Sequence, residues 1–191
     1  FENVQCVKCH PPLAYLPDLG VVASLDPAQD GTYTTPIPRA AGRTYRLCQN
    51  YAKENVCNWA VPADDPNPLC QCCRLTRVIP DLGKPNHKEW WYKLEVAKRR
   101  LVYTLSALGL PIRNKTDDPE RGLEFRFLAD EEGPDAKPVL TGHADGVITI
   151  NVAEADDAER EKRRRLMHEP YRTLLGHFRH EVGHYYWDRL I

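Results

Sequence analysis

Two histidines and a glutamate near the end of the chain have the spacing of a helical zinc site. His180, Glu181 and His184 form the pattern His-Glu-x-x-His. Residues four apart on a helix lie one turn apart on one face, so both imidazoles can bind the same metal ion. Glu181 would lie beside that ion, where a carboxylate can take a proton from a metal-bound water as it attacks a peptide carbonyl. The spacing therefore predicts a catalytic zinc on His180 and His184, with Glu181 as general base.

A helical-wheel count separates these histidines from the expected core of the helix. At about 100° per residue, one face carries Tyr171, Leu174, Leu175, Phe178, Val182, Tyr185 and Tyr186. A second face, centred about 140° from the first by the same count, carries His177, His180, His184 and Asp188. This separation favours a metal site over structural histidines, because the histidines would line a cleft while the apolar face packs on a sheet.

A catalytic zinc site also needs a third protein ligand and an open position for water. His177 and Asp188 are candidates on the same helix, but one straight helix rarely surrounds an ion tetrahedrally with three ligands. His143, in the segment TGHADG, is a candidate only if the fold brings it close. We expect each of the three to be an ordinary polar residue or a group that hydrogen-bonds to a metal ligand and orients it.

The cysteines form a second set of candidate ligands. There are seven, an odd number, so complete intramolecular disulfide pairing is impossible. Two thiols separated by two residues can bind one metal ion, whereas a disulfide would strain that turn, so the spacing favours structural zinc. A weaker alternative is a redox sensor built on Cys70, Cys72 and Cys73. The spaced residues are Cys6, Cys9, Cys48, Cys57, Cys70 and Cys73.

The elements that must position these groups divide the chain into two parts. Residues 1–80 contain all the cysteines and show little apolar periodicity, so metal cross-links are expected to replace a conventional core there. The segment IPDLGKPNHK, rich in turn-forming residues, marks the boundary. We therefore predict a metal-binding domain over residues 1–80 and a second domain over residues 81–191.

Periodicity in the second part predicts an α+β domain. Apolar residues at three- and four-residue intervals predict a long helix that ends at Gly109 and Pro111; they are Trp90, Leu94, Ala97, Leu101, Leu105 and Leu108. The alternation in LEFRFLAD predicts a half-buried strand, and PVLTGHADGVITINV predicts two strands around Asp145-Gly146. The charged segment EADDAEREKRRR predicts a solvated helix, and Pro170 allows the terminal helix to begin.

Composition excludes several classes of partner. The 191 residues carry a net charge of −1, so no basic surface excess favours nucleic acid or anionic membrane. No apolar run approaches the roughly 20 residues that span a bilayer, and no signal-peptide pattern is present. We expect a soluble, cytoplasmic protein.

Several long segments, in order, resemble a bacterial family of zinc-binding metallopeptidases with an N-terminal zinc-ribbon region. The segments are FENVQCVKCH, LAYLPDLG, CNWAVPADDPNPLCQCCRLTRVIPDL, KLEVAKRRLVYTLSALGLP, VLTGHADGVITINVAEADDAER and EPYRTLLGHFRHEVGHYYWDRL. The resemblance implies rubredoxin-like zinc knuckles followed by a small zincin-like domain of helices and an antiparallel sheet. It also implies that the family's peptidase domain continues past residue 191 and there supplies an acidic third ligand.

The resemblance also assigns individual residues. It implies zinc on His180 and His184, with Glu181 as base, and it groups Cys48, Cys57, Cys70 and Cys73 as one zinc set. Cys72 is left as a spare thiol. Cys6 and Cys9 correspond to the second pair of a two-pair knuckle whose first pair would precede Phe1. A fallback arrangement joins Cys6 and Cys9 to Cys70 and Cys73.

Two functions of different classes follow from these features. The leading hypothesis is a zinc-dependent peptidase with a structural zinc ribbon, acting on peptide or protein substrates that pair with an edge strand within GVITINV. The alternative is a zinc-ribbon module that binds protein partners, with an inactive or incomplete peptidase-like half. The near-neutral charge favours protein over nucleic acid as the partner of such a module.

Overall fold

The chain forms two compact units. The structure, a computed structural model, describes residues 2–131, 133, 137–166, 168 and 173–191. The first unit spans residues 1–74 and the second spans residues 75–191. This division lies six residues before the boundary that we placed at 80/81. Within the described part of the chain, no helix has both the length and the apolar character needed to cross a bilayer.

The first unit consists of short antiparallel strands. A hairpin is formed by β1 (Leu13–Leu16) and β2 (Val21–Ser24). A four-stranded sheet has the order β3 (Asp26–Pro27), β4 (Tyr33–Thr34), β5 (Tyr45–Leu47) and β6 (Ala60–Pro62). A single helical turn, α1 (Gln49–Ala52), follows β5, and 3₁₀ turns occupy Pro38–Ala40 and Cys73–Leu75. Every strand is four residues or shorter.

An apolar core lies beneath these strands, contrary to the expectation that metal would replace it. Ala14 and Leu16 on β1 point to one side of the strand, as the two-residue period requires, and both are fully buried. Strands this short present too few alternating residues to register as a periodic pattern in the sequence. The buried cluster is Ala14, Leu16, Ala23, Leu25, Ala40, Tyr45 and Ala60.

The second unit is an α+β domain, as predicted. Its strands are β7 (Thr76–Val78), β8 (Glu124–Leu128), β9 (Gly142–Ala144) and β10 (Val147–Asn151). Its helices are α2 (His87–Ala107), α3 (Asp157–Leu166) and α4 (Leu174–Leu190), with a 3₁₀ turn at Val152–Ala155. Each predicted helix and strand of this unit is present, but the terminal helix begins at Leu174 after the extended N-cap Thr173. Pro170, where its start was predicted, and Tyr171 lie outside the described residues.

The sheet differs from the sequence-based expectation in direction and order. Its strand order is β7-β8-β10-β9, in which β7, β8 and β10 are parallel and only β9 is antiparallel. The expected antiparallel sheet is therefore wrong for three of the four strands. The connection from β7 to β8 contains the 21-residue helix α2, which is long enough for a parallel crossover. The segment GVITINV forms the inner strand β10, so the edge strand is β9 instead.

The predicted apolar stripe on α2 is confirmed at Leu94, Ala97, Leu101 and Leu105, which are all buried, and differs only at its two ends. Trp91 is 1% exposed, whereas Trp90 is only partly buried and Leu108 is 68% exposed. Helix ends commonly lose contact with the core, and Leu108 already lies outside the helix as its C-cap. The predicted strand face is confirmed, because Leu123, Phe125 and Phe127 are all fully buried.

The β9–β10 connection is a two-residue hairpin turn. Asp145 has φ +48° and Gly146 has φ +80°. Positive φ at both central residues is the signature of a type I′ turn, which matches the twist of the flanking strands. Gly146 also approaches the carbonyl of Gly122 so closely that a Cβ atom could not be accommodated. This turn is consequently fixed against the segment that leads into β8.

A fully buried ion pair on α2 contacts the sheet through Thr76 on β7. The Lys98 ammonium lies 2.8 Å from a Glu95 carboxylate oxygen, and both side chains are 0% exposed. The Glu95 carboxylate also accepts from the Thr76 hydroxyl at 2.9 Å and from the Trp91 indole N–H at 3.3 Å. Lys98 lies over the ring of Phe127, 5.6 Å from its centroid. The pair is thus surrounded by groups that compensate for its removal from water.

Removing one member of this pair should destabilise the second unit strongly. Glu95→Ala is expected to lower the free energy of unfolding by about 3–5 kcal/mol, because the buried Lys98 ammonium would lose its counter-charge. Glu89→Ala, which removes the largely exposed partner of Lys93 on the same helix, should cost less than about 1 kcal/mol. Denaturant unfolding of both variants measures the difference. Equal losses would contradict the structural role of the buried pair.

Candidate metal centres

Four cysteines meet in the interior of the first unit. Their sulfur atoms all lie within 4.8 Å of one another, and all four side chains are buried. A zinc ion with Zn–S bonds of about 2.3 Å holds its sulfurs about 3.8 Å apart, and the sulfurs of Cys57 and Cys70 are 3.8 Å apart. The cluster therefore has the ligand type, number and spacing of a tetrahedral structural zinc site. Its members are Cys48, Cys57, Cys70 and Cys73.

Backbone N–H groups orient these sulfurs. The Cys70 N–H donates to the sulfur of Cys48 at 3.3 Å, and the Cys73 N–H donates to the sulfur of Cys70 at 3.4 Å. The Trp59 N–H donates to the sulfur of Cys57 at 3.4 Å. Such donors stabilise negative charge on sulfur, which is the form that binds a metal. These backbone N–H groups therefore favour the thiolate form of the cysteines without the help of a metal ion.

The proton affinities of the four thiols differ in a way that favours metal binding. Hydrogen bonds from the neighbouring Cys57, Cys70 and Cys73 thiols lower the pKa of Cys48. Burial raises the pKa of Cys57 and Cys70 well above its ordinary value. The positive charge of a bound metal ion would offset the cost of burying thiolates, and the thiols would then release their protons.

The grouping of the cysteines decides between the alternatives raised by the sequence. Cys70 and Cys73 lie with Cys48 and Cys57, so the fallback that joins them to Cys6 and Cys9 is wrong. Cys72 is buried but does not belong to the cluster.

Cys6 and Cys9 form a separate pair on a turn near the start of the chain. Their sulfurs are 3.3 Å apart, and Cys9 is exposed. Backbone N–H groups of Cys9 and Lys8 lower the pKa of Cys6. Among the described residues, no further cysteine, histidine or carboxylate joins them within metal-binding range. The pair thus supplies two thiol ligands on a tight turn.

The histidine pair lies on the solvent side of α4. The Nε2 atoms of His180 and His184 are 3.2 Å apart, and their rings are perpendicular. Both side chains are exposed, while Phe178 and Val182 on the opposite face are buried. The predicted separation of the two faces is therefore confirmed. Two imidazole nitrogens this close can bind one ion together.

Aromatic side chains fix the direction in which this pair faces. The Phe178 ring lies 5.5 Å from that of Phe125 on β8. The Tyr185 hydroxyl donates to the carbonyl of Arg121 at 2.7 Å, and the Tyr186 hydroxyl donates to that of Pro111 at 2.8 Å. Burial raises the pKa of Tyr186 to about 12, so its hydroxyl keeps its proton for this bond. The helix is thus held in a single rotation about its axis.

None of the three internal candidates completes the histidine pair. His177 lies 3.3 Å from the buried carboxylate of Glu154, and the Nε2 atom of His143 accepts the N–H of Gly146 at 3.0 Å. Asp188 borders a cavity one turn beyond His184. Among the described residues, no third histidine, cysteine or carboxylate atom lies within metal-binding range of both histidines. The described site therefore has two ligands and a neighbouring carboxylate, Glu181.

Sequence reasoning missed that cavity, which has a volume of about 370 Å³. It lies between α4, the turn after β9 and the segment before β8. The only local signal for it was the Asp145-Gly146 turn, whose position in the fold could not be known from the sequence.

Comparison with known proteins identifies both parts of the chain. Residues 87–191 match the model of a family described as "Putative zinc-binding metallo-peptidase", and residues 1–84 match a zinc-ribbon domain. All 191 residues align at 42% identity with uncharacterized proteins of Mycobacterium bovis and of Mycobacterium tuberculosis strains CDC 1551 and H37Rv. The chain spans about half the length of these relatives (50%). No solved structure matches the chain.

Substitution of a single clustered cysteine should remove one metal ion. Cys48→Ser is expected to lower the zinc content by about one ion per chain and to destabilise the first unit, because binding and folding are coupled at such sites. Cys72→Ser, which alters the neighbouring buried thiol, should leave the zinc content unchanged. Elemental analysis of both purified variants measures this. Loss of zinc from Cys72→Ser alone would contradict the assignment.

Proposed function

The chain belongs to the family described as "Putative zinc-binding metallo-peptidase", and from this premise we propose that its second unit forms the water-activating part of a zinc-dependent peptidase. The observation that carries the proposal is the pair of exposed imidazoles, with Nε2 atoms 3.2 Å apart, on a helix whose other face is buried. Exposed side chains at this spacing are open to both a metal ion and a substrate.

Each residue of the motif has a separate role. His180 and His184 would hold the zinc, which when bound supplies a Lewis acid and a water with a pKa near 7. Glu181 takes the proton from the attacking water and returns it to the leaving amine. Its backbone position directly after His180 keeps the carboxylate beside the pair. Because a catalytic zinc site has three protein ligands, the proposal requires a third ligand from outside the described residues.

The substrate is proposed to lie along β9. This strand is one of the two edges of the sheet, the other being β7, and β10 already pairs on both sides. The helix α4 packs against β9, so the free edge lies beside the helix that carries the histidines. An extended peptide can add to such an edge through backbone hydrogen bonds. We therefore propose that the substrate pairs with Gly142–Ala144 and not with the segment GVITINV.

The first unit is proposed to be structural. Zinc on the four clustered cysteines would cross-link strands that are too short to be stable alone. Cys6 and Cys9 would bind a second zinc with ligands from outside the described residues. The exposed surface of this unit is available for a protein partner, and the net charge gives no reason to expect nucleic acid.

One observation favours a different class of function. Because the described residues give the histidine pair no third ligand, the second unit could serve as a scaffold while the ribbon binds a protein partner. Metal analysis separates the two functions in the full-length protein. Zinc on both the cysteines and the histidines supports the peptidase, whereas zinc on the cysteines alone supports the interaction module.

Replacement of the proposed base should abolish peptide hydrolysis without loss of metal. In the full-length protein, Glu181→Gln is expected to lower kcat by about 10²–10⁴-fold, the usual contribution of a general acid–base group. Its zinc content should match that of the unchanged protein, because Glu181 is not a ligand. Glu131→Gln, an exposed change elsewhere in the second unit, serves as the control. Hydrolysis unaffected by Glu181→Gln would rule out the mechanism.

Trp187 should report directly on metal binding by the histidines. It is 64% exposed and lies three residues after His184, on the same side of α4. With the cysteine sites loaded with zinc, Cu²⁺ is expected to quench the fluorescence of this side chain through the nearby imidazoles. The Trp187→Phe and His184→Ala variants should each lose that part of the quenching. Identical quenching curves for all three proteins would show that Cu²⁺ does not bind at the pair.

A further inference from the structure

The cavity beside α4 carries unpaired charges of both signs. Its border includes the carboxylates of Glu120, Asp145 and Asp188 and the guanidinium groups of Arg121 and Arg189. Within the described part of the chain, none of these five residues takes part in an ion pair. Elsewhere in the same unit, exposed charges do pair, as Glu161 does with Arg164 and Arg165. The border of the cavity therefore carries charges of both signs that form no ion pairs among the described residues.

One cationic group on the border of the cavity, that of Arg189, is held in place. The Arg189 guanidinium donates to the Tyr185 hydroxyl at 2.5 Å and to the backbone carbonyl of Arg121, and it lies 5.2 Å from the Tyr185 ring centroid. Both acceptors are uncharged, so the positive charge of Arg189 is oriented but not neutralised by them. A carboxylate ligand could provide that neutralisation.

The wall formed by the β9–β10 turn is equally fixed. The His143 ring packs edge-to-face on Tyr185 with centroids 6.1 Å apart, and its Nε2 atom accepts the Gly146 N–H. Close contact between Gly146 and Gly122 prevents this turn from moving toward the segment before β8. The turn, α4 and the segment before β8 therefore contact one another around the cavity, whose border also includes Leu190 and Ile191.

The cavity lies next to the proposed catalytic pair. Asp188 follows His184 by four residues, which corresponds to about 6 Å along the helix axis at 1.5 Å per residue. The Tyr185 side chain, which borders the cavity, comes directly after His184. One to two residues of extended peptide, at about 3.3 Å each, cover such a distance.

We infer that this cavity binds the free, charged ends of a short peptide, so that the substrates are zwitterionic peptides of two or three residues. Carboxylates on the border can bind an ammonium group and guanidinium groups can bind a carboxylate, so one zwitterionic ligand satisfies both signs. A volume of about 370 Å³ accommodates a ligand of this size and excludes a folded protein. The inference rests on the proposed function, because it names the bound peptide a substrate.

The test measures binding without hydrolysis. Isothermal titration calorimetry is carried out on the zinc-loaded full-length Glu181→Gln protein with Ala-Ala and with N-acetyl-Ala-Ala-amide. Ala-Ala is expected to bind at least about tenfold more tightly, since blocking removes two charge-assisted contacts. Adding Asp188→Asn or Glu120→Gln should weaken Ala-Ala binding by about tenfold, while adding the control Glu131→Gln should not. Circular dichroism and thermal unfolding confirm that each variant is folded.

The possible results separate this inference from the proposed function. Equal affinity for the free and blocked peptides, or no effect of either cavity substitution, overturns the inference. If Ala-Ala binds selectively but the unchanged protein hydrolyses no peptide, the cavity assignment stands as a binding site and the peptidase function fails. If the unchanged protein cleaves long end-blocked peptides as efficiently as Ala-Ala, the substrate class is wrong and the peptidase function stands.

Discussion

The rotation of α4 about its own axis is the constraint on which the second unit depends. A turn of the helix by one residue would move the histidines toward the core and bring buried rings into water. Phe178 packing on β8 excludes that movement by shape, and the hydroxyls of Tyr185 and Tyr186 exclude it by hydrogen bonding to carbonyls on separate segments. Because both tyrosines are buried, a lost partner would leave an unsatisfied hydroxyl in the interior. The same contacts expose the histidine pair and form one wall of the charged cavity.

The first unit must be stable although its strands are very short. Neither its apolar core nor its cysteine cluster is large, but they are linked through α1. Cys48 precedes that turn and belongs to the cluster, while Tyr51 within it donates to the carbonyl of Leu13 at 2.9 Å at the start of β1. Burial raises the pKa of Tyr51 to about 12, so this donor is retained over a wide pH range. Metal ligation, hydrogen bonding and apolar packing consequently stabilise one another.

Much of the fold could be predicted because it is set by local patterns. Three- and four-residue spacing identified α2, two-residue alternation identified β8, and Asp-Gly identified the β9–β10 turn, since each depends on neighbours along the chain. Strand direction could not be predicted in this way. Whether β10 pairs with β8 in parallel depends on contacts between residues about 20 positions apart in the chain, across a connection that contains β9. The core of the first unit was missed for a related reason: no strand in it is long enough to show a period.

The same distinction applies to the candidate sites. The sequence by itself determined that His180 and His184 share a face with Glu181 beside them, because helix geometry places residues four apart together. It also determined that Cys70 and Cys73 can act as a pair. The family resemblance grouped Cys48 and Cys57 with that pair, and the tertiary structure brings the four sulfurs together. Only the tertiary structure decided that charged residues from α4, the β9–β10 turn and the segment before β8 surround a cavity beyond His184. Those outcomes join residues far apart in the chain, and packing alone brings them together.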